Sequence, residues 1–274
     1  MALFGLFGKG KAAIPKHAKR VGNKRAQAPD RWESIQVLGQ VGCGELEAKG
    51  GDQREEAIGA LMARFTFTVD PSITDGEEKD EAFRWIARAG AAAVAPVRRA
   101  LRQHDSPSWP LRILGELVPE PQLTQEMLAV LAEMDTEYER DPQKKLVILS
   151  SLEEARHPDI AAAVVPFFQD VNETARFHAM GAALAQDNGE SVRDELLAAL
   201  AEEDSLRVKA RALEGLARRG WSLGVARAAV EADLPPGYRI DSEGVPQQAS
   251  AAASTAASAA PTSRRVAPKR KKRR

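Results

Sequence analysis

The chain has 274 residues, of which 43% are hydrophobic and only 5% aromatic, which describes a core of Ala, Leu and Val. The longest apolar run, 160–168, falls well short of the roughly 20 residues a spanning helix needs and contains Pro166, so no transmembrane segment is expected. The formal net charge of zero is a sum of unlike parts: residues 1–31 and 245–274 each carry eight Lys/Arg, against Asp30 alone, while the body between Trp32 and Gly244 has 23 basic and 38 acidic residues.

Taken in chain order, Met1–Phe7 is apolar but lacks the preceding positive charge and the cleavage site of a secretory signal. Leu3, Phe4, Leu6 and Phe7, followed by Lys9 and Lys11, read as a short amphipathic hook or as an unstructured end. Residues 1–30 as a whole, rich in Gly, Lys and Ala, read as a flexible basic leader. From 31 to 241 helical periodicity dominates, in apolar segments of ten to sixteen residues separated by Asp, Pro and Gly. First helices are expected near Arg31, Glu77, Pro107, Asp141, Asn172 and Asp204, each followed by a second helix. The one departure is 65–76, where Phe65-Thr66-Phe67-Thr68-Val69 alternates with period two; this segment reads as an extended insertion running into an acidic stretch. Residues 242–274, with an Ala/Ser-rich run closing on SRRVAPKRKKRR, read as disordered.

The helix pairs repeat at 30 to 34 residues. Leu152, Leu184 and Leu216 lie 32 apart, with Ile148, Met180 and Ala212 one turn earlier, and Ile160, Val164 and Phe168 match Val192, Leu196 and Leu200. One helix pair cannot bury its apolar face alone, so repetition at this interval predicts an all-α stack, an α-solenoid of about six antiparallel pairs. Asp141, Asn172 and Asp204-Ser205 supply N-cap acceptors where first helices should begin.

The segments Glu203–Leu213 (EDSLRVKARAL) and Ala93-Val94-Ala95-Pro96-Val97, the second echoed at Ala163–Phe167, resemble the HEAT-like repeats of the phycobilisome-lyase type over roughly 31–233. The resemblance implies architecture. Families built this way include adaptors, chromophore lyases, iron-dependent hydroxylases and DNA glycosylases, so it does not choose an activity.

Candidate chemistry is sparse. Gly5–Lys11 has the spacing of a phosphate-binding loop, but Ala12 stands where Ser or Thr would hold magnesium, and too few residues precede it for the required strand. The four histidines, His17, His104, His157 and His178, lack the following Glu that the hydroxylases use to bind iron. The acids between Asp70 and Glu81 do not fit a calcium loop and read as a solvated stretch plus helix N-terminal acids. Gly39, Gly42 and Gly44 read as a turn between helices. Arg98, Arg99 and Arg102, near Arg88, Trp85 and Trp109, form a basic and aromatic cluster inside an acidic body; the arginines are expected over their own helix and the tryptophans in the core. Lys269, Arg270, Lys271, Lys272, Arg273 and Arg274 form a run able to make salt-sensitive phosphate contacts.

No catalytic residue, metal or cofactor is expected. The sequence therefore reads as a non-catalytic scaffold or adaptor that binds another protein, with Arg98, Arg102 and Lys269–Arg274 as candidate binding residues. A nucleic-acid-associated protein using the tail is the alternative, and a lyase-like enzyme, by resemblance only, the third. The lone Cys43 points to a reducing, cytoplasmic setting, and the Ala/Arg usage to a GC-rich bacterial source.

Overall fold

In the computed structural model the described residues are 11–249, and they are mainly α-helical. They divide into one unit ending at Val192 and another starting at Arg193.

The first unit opens with α1 (Ile14–Val21), where a flexible leader was expected. Ile14, His17 and Val21 recur at helical spacing and are buried, and the helix packs on α2 (Ala28–Gly42) and α3 (Arg54–Met62). Two turns are too short for a periodicity that stands out from the Lys/Gly-rich surroundings. A 3-10 turn, Ala63–Thr66, follows α3, and α4 spans Ser72–Ala89. The extended insertion expected at 65–76 thus shrinks to a few residues. Phe65 and Val69 are both buried while Thr66 and Thr68 are exposed, so the apparent alternation is an anchor at each end of a short link.

Helices α5 (Ala91–Gln103), α6 (Ser108–Leu117), α7 (Glu120–Leu131), α8 (Gln143–Glu154), α9 (Ile160–Val164) with a 3-10 continuation to Gln169, and α10 (Glu173–Ala185) complete the unit. First helices touch first helices, α2 on α4, α4 on α6 and α8 on α10, while α3, α5, α7 and α9 form a second row in which each touches the next. The starts fall within a few residues of those expected. Asn172 Oδ1 accepts from the Thr174 and Ala175 amides at the head of α10, satisfying donors the helix leaves unpaired.

The second unit holds α11 (Arg193–Glu202), α12 (Leu206–Arg219), α13 (Arg227–Ala232) and a hairpin of β1 (Tyr238–Ile240) and β2 (Pro246–Gln248), with Ile240 opposite Pro246. Ser205 caps α12, and Gly220, at φ 64°, closes it in the left-handed conformation where glycine has no steric cost. The hairpin corrects the expectation of disorder from 242 onward. Asp241 accepts amides from Glu243 and Val245 in its turn, β2 packs on α12, and Tyr238 Oη donates to the Ala210 carbonyl at 3.1 Å. No apolar period announces it, because its anchors are polar.

The positions singled out by the repeat are core. Ile148, Leu152, Met180, Leu184, Ala212 and Leu216 are buried, as are Ile160, Val164, Phe168, Val192, Leu196 and Leu200. A second repeated feature is polar. Seven residues before Leu152 and Leu216, in the first turns of α8 and α12, stand Lys145 and Lys209, both buried. Lys145 Nζ meets Asp170 at 2.8 Å, just beyond the 3-10 continuation of α9, and Lys209 Nζ meets Asp233 at 3.0 Å, just beyond α13. A cation at a helix N-terminus opposes the helix dipole, so each lysine relies on the acid that follows the partner helix.

Candidate functional site

The first unit holds a cleft of about 930 Å³ bounded by α1, α2, the N-terminal turns of α4 and the segment around Leu46 and Lys49. That volume is in the range that takes small ligands or short peptide segments. One face of α2 turns Arg31, Ile35 and Leu38 to the core, and the other presents Pro29, Trp32, Gln36 and Val37 to the cleft. Trp32 is 39% exposed, and Val37 and Leu46 beside it are half-buried. The near wall is fixed by a short parallel pairing: Ala12 donates its amide to the Glu47 carbonyl and accepts from the Lys49 amide, both at 2.8 Å, while Lys11 pairs with Glu47. Lys16 and Lys49 stand exposed on the rim, with Glu77 on the α4 side.

His17 lies on the cleft floor with Nδ1 3.1 Å from Ser34 Oγ. The Ser34 hydroxyl donates its one proton to the Asp30 carbonyl at 2.8 Å, so His17 Nδ1 must be the donor and Nε2 carries the lone pair. Burial pushes the His17 pKa down; Glu33 raises it, and Lys16 and Arg20 lower it further, so the ring is neutral at pH 7. Because the Ser34 proton is committed to a backbone carbonyl, the pair is a structural link between α1 and α2 rather than a nucleophile and its base.

Beneath the floor lies a buried ion network that ties the first turns of α4 to α2 and to the 3-10 turn after α3. Glu78 accepts from Arg31 through Nε and Nη2, at 2.9 and 3.0 Å, and from Arg64 Nε at 2.7 Å. Arg64 Nη2 and Lys79 Nζ each reach Asp75 at 2.7 Å, and the Val69 amide donates to the same carboxylate at 2.9 Å. Burial pushes the Asp75 carboxyl up, but the hydrogen bonds from Lys79, Arg64 and Val69 outweigh it and hold the group below the ordinary carboxylate range. The acidic stretch read as solvated is therefore in part a set of buried counterions. Remaining donors of Arg31 and Arg64 go to the carbonyls of Ala26 and Phe67, so three cations and two carboxylates are also tied to the backbone.

The glycines expected in a turn have another role at two of the three positions. Gly39 and Gly42 lie inside α2. A Cβ on Gly39 would come 2.2 Å from Trp85 Cγ, and one on Gly42 would come 2.4 Å from Ile58 Cδ1. Glycine there gives close approach; only Gly44, at φ 76°, serves a turn conformation.

The arginines read as a basic cluster are already matched by acids. Arg98 pairs with Glu126 at 2.7 Å, Arg102 with Glu133 at 3.4 Å and Glu126 at 3.8 Å, Arg99 with Glu55 at 3.6 Å, and Arg88 with Glu45. Charge matched by carboxylates on neighbouring helices and turns offers little net attraction to phosphate. Trp85 and Trp109 are half-buried, as packing residues; Trp109 packs against Phe65 with centroids 4.7 Å apart and ring planes tilted by 36°, and Arg112 lies over its ring. Lys269, Arg270, Lys271, Lys272, Arg273 and Arg274 lie outside the described residues.

Of the remaining candidates, His104 sits at the end of α5, its pKa lowered by burial and then by Lys144, with Asp105 acting the other way. His178 Nδ1 meets Glu153 at 2.8 Å, joining α10 to α8, and His157 lies in the turn before α9. The acidic turn of Asp135, Glu137, Glu139 and Asp141 leaves Tyr138 exposed and is tied down by Lys145, which donates to the Asp135 carbonyl. Among the described residues no group of three or more His, Cys, Asp or Glu is placed to hold a metal ion, and no helix is long and apolar enough to cross a membrane.

Comparisons with family models, with curated proteins and with solved structures return no match. The resemblance to HEAT-like repeats thus rests on the segments quoted above. Of the cleft residues, sequence reasoning named none as a site. The one signal was Trp32, a large aromatic in the polar stripe of α2, where an amphipathic helix has no packing need for it.

Proposed function

We propose that this chain is a non-catalytic scaffold of stacked HEAT-like helix pairs, and that the cleft beside Trp32 takes a segment of another protein. The observation that carries the reading is the exposed Trp32 with Val37 and Leu46 in a recess of about 930 Å³, bordered by both signs of charge. A large aromatic anchor at the centre of a polar rim is the composition of a protein-binding hot spot. The two rows of helices, in which first helices touch first and second touch second, support the stacking, as do the repeated buried lysines. The cytoplasmic setting belongs to the same proposal and rests on the lone Cys43.

The test is affinity capture from the cell of origin with the full chain and with its Trp32→Ser variant, checked for an unchanged thermal unfolding midpoint. A defined protein retained by the parent and reduced about tenfold or more by W32S supports the cleft. Equal retention by both removes it.

A second reading is favoured by the unbroken cations Lys269–Arg274. In it the tail adds contacts to nucleic acid or another polyanion, with affinity that falls steeply with salt. Titrating labelled RNA and DNA against the full chain and a chain ending at Ala249 decides it. Equal, negligible binding by both excludes the tail as a nucleic-acid contact.

A further inference from the structure

The cleft and the start of the chain meet at Lys11. This residue lines the recess, and its neighbour Ala12 is fixed by the pairing to Glu47 and Lys49, so the first described residue lies at the rim itself; residues 1–10, which precede it in sequence, lie outside the described residues. They include Leu3, Phe4, Leu6 and Phe7 and carry no side-chain charge before Lys9. Phe7 is four residue steps from Lys11, a reach of up to about 14 Å, and Leu3 extends to about twice that. The cleft offers such a segment Trp32, Val37 and Leu46 as apolar contacts. Glu77, which takes part in no ion pair among the described residues, stands across the recess as a carboxylate for Lys9.

We infer that Leu3–Phe7 of the same molecule seats in the cleft and competes there with an incoming partner segment, an inference that rests on the cleft being the docking site. The tether decides the balance. A segment joined through so short a link has an effective concentration of about 1 mM, so a contact with an intrinsic dissociation constant of about 0.1 mM is occupied roughly ten to one. An untethered partner must outcompete that occupancy, which makes the start of the chain a built-in threshold rather than a permanent block.

Two measurements on the full chain test it. With a photoreactive benzoylphenylalanine at position 7, irradiation of dilute protein should give intrachain cross-links to residues 28–40 or 46–49. Cross-links elsewhere, no cross-link, or linkage to the cleft of a second copy overturns the inference. A synthetic peptide of residues 1–9 should bind the F4S/F7S variant about tenfold more tightly than the parent, and this binding should vanish when W32S is added. Equal affinity for parent and F4S/F7S overturns it as well. The outcomes separate the two readings: cross-links to the cleft with partner capture indifferent to W32S remove the docking role alone. Capture that depends on Trp32 without cross-links removes only the competing segment.

Discussion

Replacing Gly39 by alanine should destabilise the protein, although the same change in a helix ordinarily does the reverse. Inside a helix, alanine is favoured over glycine by about 1 kcal/mol because glycine loses more backbone freedom on folding. At Gly39 the new Cβ would lie 2.2, 2.3 and 2.7 Å from three carbons of the Trp85 indole, far inside the roughly 3.5–4.0 Å of an ordinary carbon contact. The obstacle is a rigid two-ring system between α2 and α4, with Arg88 lying over its ring, so it cannot swing aside as a flexible chain would. Overpacking of this kind costs about 1–3 kcal/mol. With the propensity gain of about 1 kcal/mol set against it, the expected net loss is up to about 2 kcal/mol. Gly76 supplies the control, since it is helical and exposed in α4 and a Cβ added there would meet nothing within 4 Å, so G76A should gain up to about 1 kcal/mol. Urea unfolding followed by circular dichroism at 25 °C, with G39A, G76A and the parent side by side, reads both signs. If G39A is stabilised as G76A is, the packing of Trp85 over Gly39 is wrong.

The buried counterions give a second expectation: Glu78→Gln leaves Arg31 without a full charge partner and Arg64 with Asp75 alone, and should lower stability by about 3 kcal/mol or more in the same assay, and Lys145→Met should do likewise, with the double change K145M/D170L recovering most of the loss. A double variant no better than K145M would show that the pair contributes no coupling. The histidines set a third. His17 and His104 both have folded pKa values below the ordinary imidazole value of about 6.5, so the unfolded chain binds more protons just below that pH. The stability each contributes is fully present above about pH 6.5 and is lost as pH falls toward the folded values. Unfolding midpoints measured from pH 7.5 to 5 should therefore decline, and H17Q/H104Q should flatten that decline; an unchanged slope refutes it.

Helix pairing was legible because it is written locally. Leu152, Leu184 and Leu216 with their partners one turn earlier report the buried face directly, and Asn172, Ser205 and Gly220 mark ends through their own side chains or backbone conformation. What escaped was non-local. Glu78 finds Arg31 and Arg64 only after α2, α3 and α4 have packed, so its neighbours Asp75 and Glu77 made it look like one more surface acid. Gly39 looked like a turn because its reason, Trp85, lies on another helix. The same holds for Arg98 and Arg102, whose charge is visible in sequence while the glutamates that match it, on α7 and beyond, are not. The cleft is the extreme case, since a recess is a property of what several segments leave unfilled.

The lysines at the heads of α8 and α12 close two of the helix pairs electrically on themselves. Lys145 and Asp170 enclose one pair between its first turn and its exit, and Lys209 and Asp233 enclose another. A duplicated or deleted pair carries both its charge and its countercharge with it. Loss of either of these two pairs therefore separates neither lysine from its aspartate, whereas loss of α2, α3 and the 3-10 turn after it would take Arg31 and Arg64 from Glu78 on α4.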